Sequence, residues 1–205
     1  MAARNGETTL LLVRSGRTAW DLGGRVQGSS DIPLCPEGRA EVEAALAEAD
    51  LEKAHCIWAA PDEGSQETAQ LLARLVGCKI KTSYDLAEMD LGLWEGSLRK
   101  DLLERFAKSY GLWREDPTAV TPAEGEPLPE ARGRLLRVLE KIVERPTKSP
   151  KAMVLRPVML GLLKCCVSGE PASRLWEVMA TQPQCETITV RPSDLFSLRE
   201  EASVS

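Results

Sequence analysis

At 205 residues, with 43% apolar and 28% charged side chains, the chain suits one soluble globular domain with a substantial core. Its formal charge of −5 leaves no dominant basic face, which argues against nucleic acid and anionic membranes as partners. No apolar run approaches the ~20 residues of a membrane span, and Met1 to Glu7 lacks the apolar core of a signal peptide, so a cytoplasmic location is expected.

Thr8–Arg14 is a continuous apolar run, the pattern of a strand buried on both faces. Residues 16–38 read as loop, interrupted by glycines and by Pro33. Pro36 suits the first position of a helix that runs to Glu48, with Val42, Leu46 and Ala49 on one face. Ala54–Ala60 reads as a short strand ended by Pro61. Ser65–Val76 carries a helical stripe at Ala69, Leu72 and Val76 and stops at Gly77. Lys79–Ser83 is expected to be an edge strand. Leu98, Leu102, Leu103, Phe106 and Tyr110 form another helical stripe, and residues 116–129 read as a surface loop rich in proline, glycine and acid.

Leu135, Leu136, Leu139, Ile142 and Val143 mark an amphipathic helix that ends before Pro146. Ala152–Leu155 reads as a strand, Val158–Val167 as a buried helix and Glu186–Val190 as a last strand. Residues 193–205 are expected to form a weakly ordered tail after one domain over residues 1–192. Strands alternating with helices predict an α/β fold whose mostly parallel sheet is covered on both faces.

The six cysteines, at 35, 56, 78, 165, 166 and 185, form no C-x-x-C pair, and His55 is the one histidine. Zinc and iron–sulfur ligation thus have little support, no cofactor or metal is expected, and the thiols read as reduced. Adjacent Cys165 and Cys166 suit a disulfide poorly on geometric grounds.

Four segments, in order, carry a resemblance. They are Arg14-Ser15-Gly16-Arg17-Thr18 after the first strand, Gly24-Arg25-Val26-Gln27-Gly28 through Asp31-Ile32-Pro33-Leu34, Glu88 through Gly92-Leu93-Trp94-Glu95-Gly96, and Ala123-Glu124-Gly125-Glu126-Pro127-Leu128. The set resembles the histidine phosphatase (phosphoglycerate mutase-like) superfamily and implies its three-layer αβα sandwich. In that family a histidine after the first strand attacks phosphorus, a second histidine and two arginines surround the phosphoryl group, and an acid protonates the leaving oxygen.

The resemblance assigns the nucleophile position to Ser15 and the first phosphate-binding arginine to Arg14. Gly64 stands at the second arginine, Arg156 at the second histidine and Glu88 at the proton donor; Asp21 replaces a family asparagine. Arg25 and Gln27 either touch a phosphate ligand or hold their loop, and Trp94 reads as core. A serine hydroxyl is a weak nucleophile without an adjacent base. The expected function is therefore that of a catalytically silent member acting by binding. Its expected partner is a phosphorylated small molecule or phosphoprotein held near Arg14 and Arg156, or a protein partner such as an active paralogue. The alternative is an active phosphatase or mutase-like phosphoric ester hydrolase with a non-standard nucleophile.

Overall fold

The computed structural model describes residues 6–49, 51, 54–145, 147–192 and 195. Its strands are β1 (Thr8–Arg14), β2 (Ile57–Ala59), β3 (Ile80–Thr82), β4 (Lys151–Leu155) and β5 (Cys185–Val190). The helices are α1 (Ala19–Leu22), α2 (Pro36–Glu48), α3 (Glu63–Val76), α4 (Arg99–Arg105), α5 (Ala107–Glu115), α6 (Leu128–Val143), α7 (Pro157–Ser168) and α8 (Leu175–Ala180). The strands form one sheet in the order β3-β2-β4-β1-β5, parallel except for β5, which runs antiparallel beside β1.

Alternation along β1 builds the three layers. Leu11 and Val13 pack with Val42 and Leu46 of α2 and Leu72 of α3. Leu10 and Leu12 pack with Leu135 and Leu139 of α6 and Leu160 and Leu163 of α7. Both faces are thus covered, which is why the strand reads as unbroken apolar sequence. Among the described residues no helix is long and apolar enough to cross a membrane.

Capping chemistry sets several boundaries. Pro36 opens α2, and the Cys35 side chain accepts from Gly38 N at 3.3 Å. The Asp62 carboxylate caps α3 through Ser65 N at 2.9 Å, and Gly77 closes that helix in the left-handed conformation, φ 69°. Thr18 and Asp21 form a reciprocal capping box that opens α1 inside the segment expected to be all loop.

Two other expectations change, and a third is left outside the described residues. β2 starts at Ile57 rather than Ala54: His55 N donates to Pro150 O and Ala152 N to Cys56 O, and the regular parallel pairing with β4 begins at Ile57 beside Ala152. The stripe from Leu98 to Tyr110 divides at Phe106 (φ −125°, ψ 36°) into α4 and α5. Leu103 and Phe106 are exposed, whereas the break lets Tyr110 and Trp113 turn inward against Trp94. The tail expected over residues 193–205 lies outside the described residues except for Leu195, which is buried in the larger core.

Gly38 fixes how the first loop meets α2. A Cβ there would fall 2.1 Å from Arg17 O and 2.6 Å from Arg17 N, so no side chain fits without moving the backbone beside Ser15. Gly38→Ala should therefore lower stability by about 1–3 kcal/mol in urea denaturation; an unchanged midpoint would show that the loop yields freely.

Candidate functional site

β1 and β4 are parallel neighbours, so the residues that follow them emerge side by side at the carboxyl edge, where open α/β sheets bind ligands. Ser15 follows β1, and its N–H donates to Leu155 O at 2.8 Å. The next amide, Gly16 N, donates to Thr68 Oγ1 of α3 at 3.1 Å. The Ser15 hydroxyl is buried and has no hydrogen-bond partner among the described residues. Arg156 follows β4 as the N-cap of α7.

Arg156 is a full-length cation at 2% exposure. Its Nη2 lies 3.4 Å from Asp21 Oδ2, while Nε and Nη1 have no partner among the described residues. Such a group is costly unless something pairs with it. Beside it is a cavity of about 280 Å³ whose wall includes Asp21, Gln27, Glu88 and Arg156, with Arg99 and Arg114 from α4 and α5. Tyr110, Trp113 and Trp176 supply an aromatic side to the same wall.

Glu88 is also buried. Its Oε2 accepts from Val158 N at 2.8 Å, and its Oε1 accepts from Met159 N at 3.0 Å and Met89 N at 2.8 Å. It therefore occupies the free N–H groups at the start of α7, where an anion would otherwise bind. Burial pushes its pKa up to about 7, against the opposing pull of Arg156 and the three amides. Arg134 of α6 holds the Glu88 segment from behind. It donates to Asp85 O at 3.0 Å and Glu88 O at 3.1 Å, and grips Glu126 through Nε and Nη2 at 2.7 and 2.8 Å.

The other expected site residues have structural partners. Arg14 does not share the cavity wall with Arg156: its Nε and Nη2 donate to Gln184 Oε1 at 3.2 and 3.1 Å, just before β5. Gln184 thus holds two of the three Arg14 guanidinium nitrogens. Arg25 donates to Gly96 O and pairs with Leu98 in an isolated β-bridge, so it holds its loop. Gln27 lines the cavity but accepts from Thr18 Oγ1 at 2.6 Å and donates to Ser30 O at 3.2 Å. Gly64 is buried in the first turn of α3, where a Cβ would lie 3.1 Å from Ile32 O and 3.4 Å from Leu34 Cδ2. Trp94 is core, edge-on to Tyr110 at 5.3 Å.

The Glu95 carboxylate pins the neighbouring loop, accepting from Ser29 N at 2.8 Å, Ser30 N at 2.9 Å, Leu91 N at 3.0 Å and the Ser30 hydroxyl. Burial alone would raise its pKa, but these donors prevail and hold it below the usual carboxylate value. Exposed His55 lies before the first residues of β2 and β4, at the sheet edge opposite Ser15 and Arg156. Among the described residues no cluster of three or more histidine, cysteine, aspartate or glutamate side chains could hold a metal ion.

Residues 10–199 match the family model for the histidine phosphatase superfamily, branch 1. The chain belongs to the histidine phosphatase superfamily. It is 26% identical over 167 residues to phosphoserine phosphatase 1 of Hydrogenobacter thermophilus, covering 82% of this chain and 79% of the relative. It is 30% identical over 167 residues to the probable phosphoglycerate mutase GpmB of Cronobacter sakazakii, covering 78% of this chain and 75% of that one. Among solved structures, Bacillus stearothermophilus YhfR superposes with a TM-score of 0.77 at 26% identity, covering 86% of this chain and 85% of that one. The mycobacterial glucosyl-3-phosphoglycerate phosphatase shares the fold at a TM-score of 0.76 and 20% identity, covering 89% of both chains.

Within this histidine phosphatase fold the structure brings Arg156, Glu88 and Gln27 to one cavity, while Ser15, which is not among the lining residues, is held by its backbone to Leu155, the residue before Arg156. Sequence reasoning missed Arg99, Arg114, Tyr110, Trp113 and Trp176 as wall residues. Only the adjacent Trp113-Arg114 pair hinted at a mixed aromatic and cationic surface.

Glu88 also makes stability depend on pH. With its folded pKa near 7 and its ordinary value at 4.5, the folded chain holds a proton that the unfolded chain releases between those limits. This contribution is complete below about pH 4.5 and is lost as pH rises through 7, at most about 3 kcal/mol. Urea midpoints should therefore fall between pH 5 and 8. Glu88→Ala should flatten that slope and cost about 1–3 kcal/mol at pH 5 by unpairing the amides. A slope unchanged in the variant would assign the titration elsewhere.

Proposed function

We propose that this chain uses the phosphatase cavity to bind a phosphate-type anion through Arg156 and does not carry out the phosphohistidine chemistry that its family resemblance implies. One observation carries the reading: a guanidinium at 2% exposure with two unpartnered nitrogens beside an open cavity. An anion completes that group, and charge-assisted hydrogen bonds to guanidinium are strong.

Residue types support the silent half of the proposal. The position of the attacking imidazole is held by Ser15, that of the second imidazole by Arg156 and that of the second arginine by Gly64. The one histidine, His55, sits at the far edge of the sheet. Glu88, at the proton-donor position, spends both oxygens on backbone amides. Transfer of a phosphoryl group needs a competent nucleophile and preorganised positive charge around the equatorial oxygens.

The second reading is a phosphoric ester hydrolase with a non-standard nucleophile. The names of the relatives, phosphatases and phosphoglycerate mutases, favour it. The buried, unpartnered Ser15 hydroxyl is the group on which it would rest. An unmodified histidine phosphatase mechanism is not available to that serine, because no base is hydrogen-bonded to it among the described residues.

Release of inorganic phosphate from seryl, glyceryl and aryl phosphates separates the two readings. The binding proposal expects release no faster than in buffer. It also expects millimolar inorganic phosphate to raise the melting temperature, less so as salt rises and not at all in Arg156→Met. Hydrolysis by the unmodified chain that Ser15→Ala abolishes would falsify the silent reading and make Ser15 the nucleophile.

A further inference from the structure

The outer side of the α4–α5 pair carries a second concavity, apart from the phosphatase cavity. It is an open groove of about 500 Å³, lined by Arg105, Phe106, Lys108, Ser109, Leu112 and Val120. The helical stripe divides at Phe106 into α4 and α5. Tyr110 and Trp113 of α5 then line the phosphatase cavity, while Lys108 and Leu112 lie on the other side of the same helix. No residue lines both concavities.

The groove is apolar where a surface should not be. Among the described residues seven large hydrophobic side chains are exposed, and three of them fall between Leu103 and Leu112. These are Leu103 at 49%, Phe106 at 36% and Leu112 at 40% exposure. Leu103 stands one helical turn before Phe106 and continues the apolar strip beyond the groove. Scattered exposed apolar residues need no account, but clustered ones mark interaction sites.

The rim carries one sign of charge. Arg105 and Lys108 are its charged residues, and no carboxylate lines the groove. Among the described residues neither cation makes an ion pair; Arg105 stands over the Phe106 ring at 5.8 Å. Other exposed arginines, Arg17, Arg137 and Arg174, each meet a carboxylate of the chain. The first turn of α5 has neither a side-chain cap nor an acidic residue, so the positive end of the helix adds to the same field. This local excess contrasts with a chain whose formal charge is −5.

We propose that the groove docks an acidic segment of a partner protein. An apolar side chain of that segment lies on Phe106, Leu112 and Val120, and its carboxylates meet Arg105 and Lys108. Charge complementarity sets the sign of the partner. Shape sets its kind: a concave strip takes the apolar stripe of an amphipathic segment, and the overall negative charge opposes approach to an anionic bilayer. The proposal is independent of how the phosphatase cavity is read.

Selection from a phage-displayed library of random 12-residue peptides against the full chain tests it. The enriched peptides should combine several Asp or Glu residues with Leu, Phe or Trp. Made as fluorescent peptides, they should bind more weakly as salt rises. Affinity should fall at least ten-fold in the double variant Arg105→Glu, Lys108→Glu, and should also fall in Leu112→Gln. All three positions are exposed, so melting temperatures should not change. No enrichment, enrichment of basic or uncharged peptides, or affinities indifferent to both variants would overturn the proposal. Binding of the unmodified chain, but not of the double variant, to phosphatidylglycerol vesicles would overturn it in favour of a membrane. A dimer in sedimentation that the double variant splits would overturn it in favour of a second copy of the chain.

Discussion

The Glu88 carboxylate at the start of α7 is the contact on which this site is built. It joins the segment after β3 to the helix after β4, two parts of the chain about 70 residues apart. Three backbone amides converge on it, so neither segment can shift alone. Arg156 is the N-cap residue of that same helix, and its direction follows from where Glu88 holds the first turn. The contact also decides what a ligand can use. With the helix amides taken, the cations on the cavity wall are the side chains of Arg99, Arg114 and Arg156, of which Arg156 is the buried one.

Behind Glu88 stands a second constraint of the same kind. Arg134 bridges the Glu126 carboxylate and the carbonyls of the 85–88 segment at low exposure. Removing it would leave Glu126 and these carbonyls short of partners, a loss larger than that of a surface ion pair. The segments around Glu88 and Glu126, which resemble family motifs, are thus coupled through α6. A fold can keep such motifs for architecture whatever happens to the chemistry, which is one reason a preserved scaffold says little about turnover.

Where the sequence was legible, a local physical rule was at work. β1 is an unbroken apolar run because helices cover both its faces. α2 begins at Pro36, and α3 ends at Gly77 in the left-handed region. Ser15, Gly64, Glu88 and Arg156 could be placed at one edge because parallel strands deliver their following residues there. What was not legible depends on partners distant in sequence. Arg14 is claimed by Gln184, 170 residues away, and no pattern near Arg14 announces that. The break at Phe106 accompanies a tertiary contact, the packing of Tyr110 and Trp113 against Trp94, which the helical stripe around it does not announce. The cavity wall joins α4, α5, α7 and α8, and its aromatic corner exists only once those helices are packed.

The binding proposal has Arg156 pair with an anion. It is tested most directly by a crystal structure grown with tungstate, a phosphate mimic that anomalous scattering locates without ambiguity. Tungstate is expected within hydrogen-bond distance of the Arg156 guanidinium, with the Arg156–Asp21 contact retained or loosened. Tungstate bound instead at Arg14, or an unoccupied cavity in which Arg156 has turned to bond the protein's own carbonyls, would contradict it.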